Sequence, residues 1–348
     1  MMKRNFVVAL LLLAVLPVTA AWAEDEFKFY GALKASVNAT DDGAKNSLSV
    51  SNNDSRVGIK GNKDLDNSLS VVYQVELGVD LSEREGVNSG RNSFIGLKGN
   101  FGKGLIGQHD TPLKDVRGHG AELFDDTIAG ARSMISAVAD EGGDKLDTLV
   151  KNAIFYYTPK MSGTQVFLLY STDNSKDPAK PDDNDFDLFG ASVTYLKGPL
   201  YLALGVESES NPGADDTDAV RLGGSYNFGV FRIGGIIESA DNGNNNSLTR
   251  DAFVLNGRYD ISKKTWVGIQ VGMVEDYDGS SDTGGSNISL GIEHKLAKPT
   301  TIYAVLSATS NDIGASFGLA QGGIQDTVTA ATPGDSVSGV SVGIVHKF

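Results

Sequence analysis

The sequence predicts an all-β chain, a transmembrane antiparallel β-barrel of sixteen strands. Three observations predict it. Runs of alternating apolar and polar residues recur along the whole chain. The turn-forming links between them alternate between short and long. Beyond the N-terminal segment, no stretch approaches the roughly 20 consecutive apolar residues of a membrane helix.

The chain begins with Lys3 and Arg4, an apolar run over residues 6–16, Pro17 and the small-residue stretch Ala21-Trp22-Ala23. This pattern predicts a secretory signal over residues 1–23, cleaved before Glu24, with residues 24–348 forming the barrel domain. An N-terminal membrane anchor is disfavoured, because eleven apolar residues are too few to span a bilayer. Loss of Lys3 and Arg4 with the signal would move the formal charge from −14 to −16. So acidic a chain argues against nucleic acid as a partner, since phosphate binding needs a basic patch. No cysteine occurs, which excludes a disulfide framework and a lipid-attachment cysteine.

Strand by strand, side chains alternate faces, so parity sorts lipid from water. In the first two strands Phe27, Phe29, Leu33, Val57 and Ile59 take the lipid face, which leaves Lys28, Lys34, Arg56 and Lys60 facing water. Over residues 69–81 every odd position is apolar, opposite Ser70, Gln74, Glu76, Gly78 and Asp80. Residues 265–273 and 288–293 repeat the alternation. A soluble sandwich could show one such run, but sandwiches rarely string together so many. The last strand places Val340, Val342, Ile344, His346 and Phe348 on one face; exposed, it would be an aggregation hazard, and closing on the first strand removes the edge. Forty-two glycines and many Asn, Asp and Ser clusters supply the turns. Short links such as Phe101-Gly102 and Lys197-Gly198-Pro199 belong at the periplasmic end, and the long polar links of residues 172–185, 241–247, 275–286 and 311–336 face outside. Phe27, Phe29, Tyr195, Tyr226, Phe228, Tyr259 and Tyr303 lie near strand ends, where aromatic girdles sit.

Several motifs resemble one family. They are Phe29-Tyr30-Gly31, Ser55-Arg56-Val57-Gly58-Ile59-Lys60-Gly61, Arg91-Asn92-Ser93-Phe94-Ile95-Gly96-Leu97-Lys98-Gly99, Phe101-Gly102, Asn152-Ala153 through Tyr157-Thr158-Pro159, and the terminal His346-Lys347-Phe348. In this order, across the whole chain, they resemble the general porins of Gram-negative bacteria, most closely the trimeric Neisseria and Comamonas type. The resemblance implies a sixteen-stranded homotrimer in outer-membrane lipid and lipopolysaccharide, inserted by the barrel-assembly machinery through its C-terminal strand and Phe348. It also implies a third extracellular loop folded inward to narrow the lumen.

Residues 111–150 supply such a loop, far longer than an ordinary connection and rich enough in apolar residues to pack. Glu122, Asp125 and Asp126, with Arg132, fall in the part that resembles the family's constriction segment. The opposite wall is expected to be basic. Parity supplies Lys34 and Arg56; for Arg91 and Lys151 parity does not decide, and the resemblance places both in the lumen. These charges also admit a plainer reading as ordinary lumen-facing residues.

Other motifs carry less. Gly102-Lys103-Gly104-Leu105-Ile106-Gly107 matches the dinucleotide glycine pattern, yet a strand pattern follows where a helix N-terminus is needed. The four histidines show no metal-ligand spacing, and Asp276-Tyr277-Asp278-Gly279 with Asp282 lacks the calcium loop's closing glutamate. No nucleophile elbow appears. The expected function is therefore passive diffusion of ions and small hydrophilic solutes, without a catalysed reaction, cofactor or metal. A substrate-specific channel, and a barrel enzyme or adhesive surface protein, are the alternatives. Counting eight acids in residues 111–150 against Lys114, Arg117, Arg132 and Lys145 leads to a weak cation preference.

Overall fold

The computed structural model describes residues 26–65, 68–82, 86–88, 90–135, 146–172, 187–210, 215–241, 249–319 and 328–348. The expected signal, residues 1–23, and Asp140, Glu141, Asp144 and Lys145 of the long loop lie outside the described residues. Among the described residues eighteen strand segments are present: β1 (Glu26–Asp41), β2 (Asn46–Asn52), β3 (Arg56–Asp64), β4 (Ser70–Val79), β5 (Val87–Asn88), β6 (Ser93–Gly99), β7 (Gly102–Asp110), β8 (Leu149–Tyr157), β9 (Thr164–Ser171), β10 (Leu188–Lys197), β11 (Leu200–Glu209), β12 (Thr217–Asn227), β13 (Phe231–Asp241), β14 (Thr249–Asp260), β15 (Thr265–Val274), β16 (Gly285–Ala297), β17 (Thr300–Asn311) and β18 (Val337–Lys347). They make sixteen barrel strands, because β2 and β3 pair in succession with β1, and β5 and β6 in succession with β4.

Each strand pairs antiparallel with the next, and β18 returns to pair with β1 from Ala32–Lys347 to Asp41–Ser338. Gly31 and Phe348 extend that ladder by exchanging backbone hydrogen bonds of 3.0 and 3.1 Å. The ring of Phe348 lies 5.7 Å from that of Phe29 and covers Gly31, where a Cβ would stand 2.4 Å from it. The closed sheet leaves no edge, which a spanning sheet requires, since lipid cannot satisfy a bare N–H or C=O.

Parity then sorts the surfaces as expected. On β12 the guanidinium of Arg221 is wholly buried, whereas its neighbours Val220 and Leu222 are 44% and 50% exposed. The same alternation runs through Leu202, Leu204 and Val206 on β11 and through Ile269, Val271 and Met273 on β15. Such a continuous outward apolar band is far larger than a water-facing surface tolerates, and it suits lipid. Tyr303 departs from the girdle expectation. It shares a face with Val305 and Ser307, so it is buried on the inner side, where its hydroxyl accepts a 2.8 Å hydrogen bond from Asn53 Nδ2.

The connection from β7 to β8 begins with the short helix α1 (Pro112–Asp115), led by Pro112, and includes a single 3-10 turn over Ala131–Ser133. Its carbonyls are satisfied by polar side chains of the water face: Leu113 by Arg221, Asp115 by Tyr201, His119 by Ser225, Ala121 by Asn256 and Ala129 by Gln270. A segment without a ladder of its own must find such partners. Close approach needs glycine on the wall. A Cβ on Gly223 would lie 2.4 Å from the Val116 carbonyl oxygen, and one on Gly234 would lie 1.9 Å from that of Gly120. The glycine-patterned run at residues 102–107 is part of β7 and does not itself open a helix; α1 begins only at Pro112.

Deleting Phe348 removes two closing hydrogen bonds and a packed ring. It is expected to destabilise closure by about 2–3 kcal/mol and to lower the amount of heat-modifiable folded barrel while export continues. Unchanged folded levels on gels of boiled and unboiled membranes would contradict this.

Candidate pore-lining site

Two interruptions of the ladder position the charged residues. Between β2 and β3 the chain steps out of register at Asn53, Asp54 and Ser55, with Asp54 at a φ of 65°. The Ser55 hydroxyl compensates β1, accepting from the Lys34 N–H at 2.8 Å and donating to the Lys34 carbonyl at 2.9 Å. Between β5 and β6 the chain leaves the ladder again, and Arg91 and Asn92 fall in the gap. There Asn92 bonds both the N–H and the carboxylate of Asp110, at 2.8 and 2.9 Å.

The two gaps bring four charges together. Arg56 Nη1 donates to Asp54 at 2.6 Å, and its Nε is 3.8 Å from Glu76. Arg91 Nε donates to Glu76 at 2.7 Å, while its Nη1 pairs with Asp54. Tyr30 completes Glu76 with a 2.8 Å hydrogen bond. Two guanidinium groups and two carboxylates thus balance in a compact group. Beside it the Lys34 ammonium pairs with Asp126 of the long connection, which sits at a φ of 58°. Lys34, Asn53, Phe124, Asp126, Trp266 and Tyr303 line a cavity of about 400 Å³.

A second, buried cluster ties the connection to the wall. Arg117 donates to Glu122 at 2.5 Å, to Asp125 at 3.0 Å and to Asp147 at 2.6 Å. Arg221 of β12 meets the same Asp147 oxygen at 2.6 Å and Glu238 of β13 at 2.5 Å. Glu207 of β11 accepts from the Asp147 N–H at 3.1 Å. Burial pushes the Asp147 carboxyl up, but Arg117 and Arg221 outweigh it and hold the group below the ordinary carboxylate range. Among the described residues, Asp115 of α1 has no ion pair. Burial, with Asp110 and Asp147 nearby, raises its carboxyl to about 6.

Of the residues singled out in the sequence, Lys34 and Asp126 meet each other, and Arg56 and Arg91 share two carboxylates. Glu122 and Asp125 instead face Arg117. Arg132 lies half-buried in the 3-10 turn, where it acts on Asp147, and Lys151 is exposed near the start of β8. Asp54, Arg117, Asp147, Arg221 and Glu238 were not among the expected site residues. Glu76 had a signal in its parity; Asp54 had none, since it sits in what reads as a polar turn. Asp276 accepts the N–H groups of Thr283 and Gly284 at 2.6 and 2.8 Å, so its carboxylate organises a turn.

A closed barrel with an apolar outer band and a charged, water-facing interior defines an outer-membrane diffusion channel. The chain belongs to the Gram-negative porin family, whose model matches residues 9–314. It is 28% identical, over 98% of this chain and 99% of the relative, to outer membrane porin protein 32 of Delftia acidovorans. A stretch covering 33% of this chain and 36% of the relative is 34% identical to the major outer membrane protein P.IB of Neisseria meningitidis serogroup B. Among solved structures, an anion-selective porin from Comamonas acidovorans superposes with a TM-score of 0.81 at 26% identity, covering 93% of this chain and all of that one.

Replacing Asp147 by Asn leaves Arg117 and Arg221 without their shared carboxylate. The expected cost is about 3 kcal/mol, at the lower end for a broken buried pair because Glu122 and Glu238 remain. It should appear as new proteolytic cleavage within residues 111–148 of an otherwise folded barrel; a segment that stays uncut would show the anchor to be dispensable. Because the native carboxyl is depressed, its contribution is present above about pH 4 and fades as the pH falls through the lowered native value. Hydrogen exchange of the segment should accordingly quicken in acid.

Proposed function

We propose that residues 111–150 fold into the lumen as the constriction of a passive, homotrimeric general porin, and that Lys34, Arg56 and Arg91 on the wall with Asp126 on the loop line the narrow section. The observation that carries this reading is the run of hydrogen bonds from the loop carbonyls to water-face side chains of β11, β12, β14 and β15, ending at the Lys34–Asp126 pair on β1. A loop held in this way crosses the pore instead of hanging over it. Fixed charges of both signs then orient water in the gap, so small polar solutes pass and apolar ones must disrupt that water. The channel catalyses nothing and needs no cofactor; its relatives are channels.

Selectivity follows from which charges are already neutralised. Four of the five described loop acids are ion-paired, Glu122, Asp125 and Asp147 with Arg117 and Asp126 with Lys34, and Asp115 is the exception. Counting them as free cation attractors, as the weak cation preference did, therefore overstates their pull. An anion preference fits better, and it is supported by the relative described as anion-selective. The signal over residues 1–23, insertion by the barrel-assembly machinery through the Phe348 strand, and a surround of lipid and lipopolysaccharide complete the proposal.

Removing residues 122–132 should raise single-channel conductance by about twofold, because the barrel ladder closes without the loop. Neutralising Arg56 and Arg91 together should move the reversal potential in a salt gradient toward cations, and neutralising Asp125 and Asp126 should move it toward anions. Fixed charge acts over about 10 Å at 0.1 M salt, so no shift in either variant would place these residues away from the narrow section. The native protein should also migrate as a trimer in mild detergent and as a monomer after boiling; a monomer under the mildest conditions would contradict the trimeric reading.

A further inference from the structure

Three cross-strand pairs on the water face set cation directly against cation. In register, Lys28 of β1 opposes Lys60 of β3, Lys98 of β6 opposes Lys103 of β7, and Arg232 of β13 opposes Arg258 of β14. Directly opposed like charges destabilise a sheet, so three such pairs call for a reason beyond folding. Each pair is also built alike. One member lies over an inward aromatic ring: Lys60 over Tyr30 at 4.5 Å, Lys103 over Tyr157 at 4.2 Å and Arg258 over Trp266 at 4.6 Å. The ring face holds that cation in place without neutralising it.

Carboxylates share the short-turn end with them, among them Asp64 of β3, Asp260 of β14 and Glu293 of β16. Among the described residues, Lys28, Lys60, Lys98, Lys103 and Arg232 make no ion pair, and Arg258 has one, with Asp260 at 2.7 Å. Asp115 and Lys160 act on Lys103 from a distance, with opposite signs. All six cations lie at the ends of strands joined by short turns, whereas Asp276, Asp278, Asp282, Asp312 and Asp335 lie on the long links of the other end, and Asp42 on the four-residue β1–β2 link there. Several of the charges between these ends are paired, among them the four-charge group and the Lys34–Asp126 pair.

We propose that the short-turn mouth of the lumen is an anion collar, in which the three opposed cation pairs hold polyvalent oxyanions, inorganic phosphate being the simplest. A tetrahedral oxyanion presents several acceptor oxygens and a charge near −2, so it can bridge two facing cations where chloride can meet only one well. The collar deepens the anion-preferring channel reading and rests on it. It also makes the pore asymmetric: anions concentrate at the short-turn mouth and are repelled by the acidic long links at the other.

The test is a planar-bilayer recording in potassium chloride with phosphate titrated on each side in turn. Because the chain has no cysteine, a Ser280→Cys label marks the long-link face and reports orientation. Phosphate added at the short-turn face should reduce chloride current at about one-tenth the concentration needed at the other face. A variant combining Lys98→Gln, Lys103→Gln, Arg232→Gln and Arg258→Gln should lose that difference while still conducting chloride. Should it fail to fold, as judged by heat-modifiable migration, the Lys98→Gln, Lys103→Gln double variant serves, and should lose part of the difference. Calorimetric titration of phosphate into the detergent-solubilised protein should show the matching loss of binding. Equal block from both faces, or variants that keep the difference, would overturn the collar alone. No chloride current through the parent protein would overturn the channel reading and the collar with it.

Discussion

A sheet that spans a membrane has nowhere to leave an unpaired amide, and closure of the ladder between β1 and β18 is the constraint on which the rest of this molecule depends. Sixteen strands connected in sequence would still present two edges. The exchange of hydrogen bonds between Gly31 and Phe348, and the ten paired positions that follow, remove both. Once the cylinder is shut, parity assigns every side chain to lipid or water, and a charged residue such as Arg221 can be buried between two neighbours that face hydrocarbon.

A perfect ladder would leave little room for special geometry. The interruptions at residues 53–55 and 90–92 relax it locally, and both gaps sit where charge is concentrated. The cost of the first is contained because the Ser55 hydroxyl satisfies both backbone groups of Lys34. The Asn92 amide does similar work for Asp110. Irregular pairing that re-aims a side chain is a common device beside functional sites, and here it turns Asp54 and Arg91 toward each other.

The charges of the interior fall into three populations with different physics. Arg117, Asp147, Arg221 and Glu238 are buried and mutually paired, so they fix where the long connection attaches more than they add net stability, since desolvation offsets most of the attraction. Arg56, Arg91, Asp54 and Glu76 balance one another beside water and supply local fields of both signs. The opposed cation pairs near the short turns have one ion pair among them in the described residues, Arg258 with Asp260.

Much of this was legible in the residues themselves. Alternation along residues 69–81 set the lipid face of one strand, Phe29 and Val57 placed Lys34 and Arg56 on the water face, and the forty-residue length of segment 111–150 marked it as more than a turn. Those inferences hold because alternation has a period of two, a local property that each strand carries alone. Partner choice is not local. Lys34 meets a residue 92 positions away, Arg117 takes Glu122 and Asp125 on one side and Asp147 on another, and Tyr303 turns inward to Asn53 from 250 positions away. Which strands curve to face one another, and which carbonyls a loop must have satisfied, were decided only when the sheet closed, because closure alone brings distant inner faces within hydrogen-bonding reach.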